Sequence, residues 1–120
     1  MASRFSDDDQ DLVISSRQES GVTVVVTQGD VTAFSSSALR QTLRKLAEGK
    51  PGRVIVDLAG TRYIDSSGVA TLVEALQTMR RNGGELVLAG VNPRVRGVFE
   101  IARLDNLFPM AASVEDALKA

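Results

Sequence analysis

The chain has 120 residues, 43% apolar and 24% charged, with a formal net charge of −1; this bounds one globular domain with one core and excludes an overall field that would draw it to nucleic acid or an anionic membrane. It contains no cysteine and no histidine, which excludes disulfides, Cys- or His-based metal sites, and Ser-His-Asp or Cys-His catalysis. One Tyr, no Trp and four Phe are too few for a base-stacking platform.

Residues 1–10 read as a disordered acidic leader, because Met1 to Asp11 carries Asp7, Asp8, Asp9 and Asp11 and no apolar core. It reads as neither signal peptide nor anchor, and no later stretch is long and apolar enough to span a bilayer. A cytoplasmic protein without direct membrane insertion is expected, with residues 11–120 as its single folded domain.

Leu12 to Arg17 and Val22 to Gln28 read as a hairpin joined at Gln18-Glu19-Ser20-Gly21. The second strand alternates, with Val22, Val24 and Val26 on one face and Thr23, Val25 and Thr27 on the other. Gly29 to Ala33 is a loop. A helix then starts near Ser35, with Ser35 as cap and Phe34 and Leu39 as a hydrophobic staple. Its stripe is Leu39, Leu43, Leu46 and Ala47, and Gly49 and Pro51 stop it. Arg53 to Leu58 is a nearly continuous β-branched run, the pattern of a strand buried on both faces.

Asp65-Ser66-Ser67-Gly68 then opens a second helix whose stripe is Val69, Leu72, Val73, Leu76 and Met79. Asn82-Gly83-Gly84 ends it, and Glu85 to Ala89 is the next strand. Asn92 caps a third helix with Pro93 in its first turn, lined by Val95, Val98, Phe99 and Ala102. Leu107 to Met110 suggests a short last strand, and Ser113 to Lys119 a closing helix with Ser113 and Asp116 at capping-box spacing. The order β-β-α-β-α-β-α-(β)-α predicts an α/β fold: a mixed, mostly parallel sheet of four to five strands, an antiparallel strand at one edge, and about four flanking helices.

The C-terminal edge of such a sheet gathers functional groups. Three loops should meet there, Gly29 to Phe34, Ala59 to Ser67 and Gly90 to Pro93. They bring together Asp30, Thr32, Ser35, Asp57, Asp65, Ser66, Ser67 and Asn92. Such a cluster could hold Mg²⁺ or position a phosphate donor, or be simply polar loop. No G-x-x-x-x-G-K-[ST] or G-x-G-x-x-G motif is present, so no nucleotide cofactor is expected. Arg94, Arg96 and Arg103 read as a solvated helix face rather than as partners for acids across an interface.

Asp65-Ser66-Ser67-Gly68 has two readings. Asp and Ser are favoured helix caps, worth roughly 0.5–2 kcal/mol. Alternatively a serine there is phosphorylated, gaining about −1.5 to −2 charge and three acceptor oxygens at a helix end that tolerates them. An esterase using Ser66 or Ser67 would lack a base.

Val54-Ile55-Val56-Asp57-Leu58, Ile64-Asp65-Ser66-Ser67-Gly68-Val69 and Gly83-Gly84-Glu85-Leu86-Val87-Leu88 resemble the STAS domain of bacterial anti-sigma factor antagonists. Val91-Asn92-Pro93 and Val98 to Leu104 fit the same pattern, so the resemblance covers residues 12 to 118. It implies the STAS fold and a binding protein rather than an enzyme. It maps the phosphorylated serine of those antagonists to Ser66. The implied partners are an anti-sigma factor that is also a serine kinase, bound only by the unphosphorylated antagonist, and a separate PP2C-like phosphatase. The implied contact surface takes in Asp30, Thr32, Asp65, Ser66, Ser67, Gly68, Val69 and Leu72. Many antagonists read Gly-(Glu/Asp)-(Leu/Ile/Val)-Asp in the first loop. Here Gly29-Asp30-Val31-Thr32 puts Thr32 in place of an acid, which implies altered recognition. STAS-like proteins also serve lipid-transport ABC systems and anion transporters, so the alternative is an accessory subunit that grips an ATPase without phosphorylation.

Overall fold

Alternating β-branched residues build the centre of the sheet. In the computed structural model, which describes residues 2–5 and 12–120, six strands are described: β1 (Ala2–Phe5), β2 (Leu12–Glu19), β3 (Val22–Gln28), β4 (Arg53–Gly60), β5 (Glu85–Ala89) and β6 (Met110–Ala111). Their spatial order is their chain order. β2 pairs antiparallel with both β1 and β3, and β3 to β6 pair in parallel. Four helices are described among these strands: α1 (Ser36–Glu48), α2 (Ser66–Arg81), α3 (Pro93–Ile101) and α4 (Val114–Lys119). This is the mixed, mostly parallel α/β class expected, with one strand more.

The period-two pattern of the strands divides the core. Val25, Val54, Val56, Leu58, Leu86 and Leu88 face α1, α2 and α3, where Leu39, Leu43, Leu72, Leu76 and Phe99 meet them. Val24, Ile55 and Val87 point the other way and are covered by Ala117 and Leu118 of α4. The 3.6-residue stripes of α1 and α2 are therefore buried as the sequence requires. Val73 and Leu46 are half-buried at the margins. At its far end α2 stops at Asn82, and the next residue, Gly83, takes φ 78, a backbone state open to glycine.

Four details differ from the sequence reading. Ala2–Phe5 is paired with β2 rather than being leader; a free strand edge accepts any short segment through its backbone, with no side-chain pattern to betray it. The remaining leader, residues 1 and 6–11, lies outside the described residues. Ser35 precedes α1 but makes no side-chain cap bond, and Phe34 is 59% exposed, so the staple does not form. The last strand starts at Met110, because Phe108 is pulled into the core, where its ring meets Phe99 edge-on at 5.3 Å. Ala102 and Arg103 lie past the end of α3 and are exposed.

Candidate functional site

The β4 strand ends in Gly60, and the chain crosses to α2 through Thr61 to Asp65. That crossing is fixed from below. The hydroxyls of Thr27 and Thr61, both fully buried, lie 2.7 Å apart. Asn92 donates its side-chain amide to the Thr61 carbonyl at 3.0 Å, while its Oδ1 accepts from the Val95 amide and caps α3. The Val31 amide donates to the Tyr63 carbonyl and the Asp65 amide to the Val31 carbonyl, both at 3.1 Å. The three loops expected at this edge do meet, and backbone and side-chain hydrogen bonds join them.

Asp65 is the keystone of the turn. Its extended backbone (φ −105, ψ −174) is that of an N-cap. Oδ1 accepts from the amides of Ser67 at 2.9 Å and Gly68 at 3.1 Å. Oδ2 accepts from the Ala33 amide at 3.0 Å, tying the first loop to the helix start. The cap is thus Asp65, leaving both serines inside the helix. Gly68 is buried against that loop. A Cβ there would stand 2.5 Å from Ile64 Cγ1 and 2.9 Å from the Val31 carbonyl oxygen, so the close packing excludes any side chain.

Ser66 faces the other way. It is exposed and, among the described residues, its hydroxyl makes no hydrogen bond. Ser67 is half-buried, and its carbonyl accepts from Thr71 Oγ1 at 3.0 Å. In the first loop Thr32 Oγ1 accepts from the Phe34 amide at 3.2 Å. Ser35, buried, accepts from the Thr32 amide and donates to the Asp30 carbonyl, so it braces the loop rather than capping α1.

Not all of the expected contact residues reach the surface. Asp30, Thr32, Asp65, Ser66 and Ser67 border the site. Gly68 is buried and Leu72 is fully buried in the core, so these two support the site from beneath, while Val69, only 5% exposed, still borders the groove between α2 and α3. The periodic stripe that marks them as apolar is the stripe that turns inward. Sequence reasoning did not single out as outward-facing the apolar groups Ala70, Val73, Val98, Ile101 and Leu104, which with Ser66 and Val69 line an open groove between α2 and α3. Ile101, 88% exposed, is joined by Phe34 and Tyr63 as the exposed large hydrophobics of the described residues. A lone apolar residue in a loop beside the serine turn was the available signal for Phe34 and Tyr63.

Asp57 and Asp65 at the edge are engaged with backbone amides. Asp57 turns its Oδ1 to the Ala59 amide, Asp65 is engaged by three amides, and among the described residues no three acids converge. The edge presents an exposed hydroxyl on a rigid frame, flanked by apolar groups.

The fold is shared with known proteins. The STAS domain family profile matches residues 13–117. BtrV of Bordetella bronchiseptica, named as an anti-sigma factor antagonist, is 34% identical over 100 residues, covering 83% of this chain and 86% of its own. The crystal structure of an anti-sigma factor antagonist from Mycobacterium paratuberculosis superposes with a TM-score of 0.84 at 23% identity, over 96% of this chain and 97% of its own. The anti-sigma factor antagonist SpoIIAA in its unphosphorylated form gives 0.73 at 21% identity, over 88% and 93%. SpoIIAA of Bacillus in its phosphorylated form gives 0.70 at 18%, over 88% and 96%. With nearly the whole folded chain inside one profile, this protein belongs to the STAS domain family.

Proposed function

We propose that the chain is an anti-sigma factor antagonist, and that Ser66 is its switch. Unphosphorylated, it binds an anti-sigma factor that is also a serine kinase, through the Ser66 end of α2 and the Asp30 to Phe34 loop. Phosphorylation of Ser66 ends the binding, and a PP2C-like phosphatase restores it. The observation that carries this reading is the exposed, unbonded hydroxyl of Ser66 beside a turn that Asp65 and Gly68 hold shut. Relatives named as anti-sigma factor antagonists support the general role, and a fold relative solved in both unphosphorylated and phosphorylated forms supports the switch. The physics is simple. A phosphoryl group adds about −1.5 to −2 charge without displacing any hydrogen bond the turn needs. A partner that lays apolar surface over Ser66 must then desolvate a dianion, so binding is lost while folding is kept.

The test incubates the protein with the purified anti-sigma factor and ATP. Wild type takes up one phosphate and Ser66→Ala takes up none. Ser66→Asp keeps its melting temperature and loses the partner. Equal labelling of wild type and Ser66→Ala would overturn the switch. Stable binding that survives Ser66→Asp, to a transporter ATPase in place of an anti-sigma factor, would favour the accessory-subunit alternative.

A further inference from the structure

We infer that Arg62, Tyr63 and Arg94 form a second contact beside Ser66, one that receives an acidic segment of the partner; this rests on the docking edge proposed above. Arg62, Tyr63, Arg94 and Asp30 line one open, shallow depression at the loop edge. Tyr63 lies three residues before Ser66 on the same crossing, and its ring is 38% exposed. The guanidinium of Arg94 stacks over that ring, 5.4 Å from its centroid, which orients the fork before any partner arrives. Among the described residues, the ion pairs use Arg17, Arg44, Arg53 and Lys119. Among the described residues, Arg62 and Arg94 have no carboxylate within pairing distance.

The helix position of Arg94 is unfavourable for α3 itself. It follows Pro93 in the first turn of α3, a helix with no acidic residue there. A cation at that end opposes the helix dipole. Arg96 and Glu100, farther along α3, are exposed and away from the depression. A charge held where the helix disfavours it, over an exposed ring and without a carboxylate partner among the described residues, is explained by recognition. Tyr and Arg are the side chains that dominate protein interfaces, and a guanidinium fork pairs two-to-two with a carboxylate. The chemistry favours carboxylate side chains over free phosphate. The depression is open rather than enclosing, and the Asp30 carboxylate in it opposes a dianion.

The experiment measures the affinity of the purified anti-sigma factor for wild type, Arg94→Glu, Tyr63→Ala and Ser66→Asp, with inorganic phosphate as a separate titrant. Arg94→Glu should weaken binding at least about tenfold, and raised salt should narrow the gap from wild type. Its melting temperature should hold or rise, because a carboxylate suits the start of α3. An Asp or Glu of the partner changed to Arg should restore binding to Arg94→Glu. Unchanged affinity in Arg94→Glu, with Ser66→Asp still unable to bind, would overturn the contact and leave the switch standing. The converse pattern would overturn the switch and leave the contact standing. If no anti-sigma factor binds wild type, both fall. Saturable phosphate binding that Arg94→Glu abolishes, with partner affinity unaffected, would reassign the depression to small anions.

Discussion

In the turn that opens α2, Asp65 gives its carboxylate to three backbone amides, while Ser66, next in the chain, projects an exposed and unbonded hydroxyl. The contrast extends along the helix. On the inner side Gly68 is buried, and Val69, Leu72 and Leu76 are 5% exposed or less. On the outer side Ala70 is exposed and Val73 half-buried, opening onto the groove with Val98 and Ile101. One side of the element therefore fixes position and the other is open to solvent. A charge added on the outer side meets a scaffold that does not depend on it. That separation is what a binding switch needs, since the modified and unmodified states must both be folded.

The inner side should break first and hardest. Leu72 is fully buried between α2 and the sheet, so Leu72→Ala should cost about 2–5 kcal/mol, read as a drop in the denaturant midpoint. A near-neutral result would mean the inner face is not the packed one. Gly68→Ala is the sharper probe. Alanine is favoured over glycine inside a helix by about 1 kcal/mol, yet its Cβ would stand 2.5 Å from Ile64 Cγ1 and 2.9 Å from both Val31 Cγ1 and the Val31 carbonyl. Overpacking of that kind costs about 1–3 kcal/mol, so net destabilisation is expected. A stabilised variant would show that the first loop yields.

The same contrast explains how much of the molecule was legible in its residues. Sheet class, the α2 stripe and the Asn92-Pro93 start of α3 follow from periodicity and cap chemistry, which are local. The serine turn was visible as a helix start for the same reason. That Ser66 rather than Ser67 is the proposed switch came from resemblance; spacing does not separate the two. Leu72 illustrates the limit. An apolar stripe marks a helix face but also tempts one to extend a docking surface along it, and only the packing shows that this face is turned inward. Ser35 is a second case: a serine before a helix reads as a cap, but its hydroxyl is held within the Asp30 to Thr32 loop. β1 was invisible because pairing through backbone groups leaves no side-chain trace.

Asp65 stands at the boundary between the two sides, and its two oxygens separate two roles. Asp65→Ala removes the cap and the tie to Ala33 together and should cost about 1–2 kcal/mol. Asp65→Asn keeps one carbonyl oxygen to cap α2, and asparagine is as good an N-cap as aspartate. Its NH₂ group, however, does not accept from the Ala33 amide. The expected result is near wild-type helix stability with lost exchange protection at the Ala33 amide alone. Equal losses in both variants would show that cap and tie are one unit.

The smallest effect belongs farther along the outer side, at Glu74. Arg44 donates Nε to Glu74 Oε2 at 2.8 Å and Nη2 to Oε1 at 3.0 Å. This hydrogen bonding, aided by the charges of Arg44, Arg40 and Arg81 and opposed by partial burial, holds the Glu74 carboxyl below the usual glutamate range. A carboxyl lowered in the folded state contributes stability that is present above its unfolded pKa. The contribution is lost as pH falls through the folded value. Wild type should therefore exceed Glu74→Gln slightly in stability at neutral pH. The gap should close on acidification below the ordinary glutamate range, and should narrow in high salt because the pair is exposed. Paired denaturation curves across that pH window provide the measurement. A gap that stays constant with pH would show that the charge of the Glu74 carboxylate does not carry the difference.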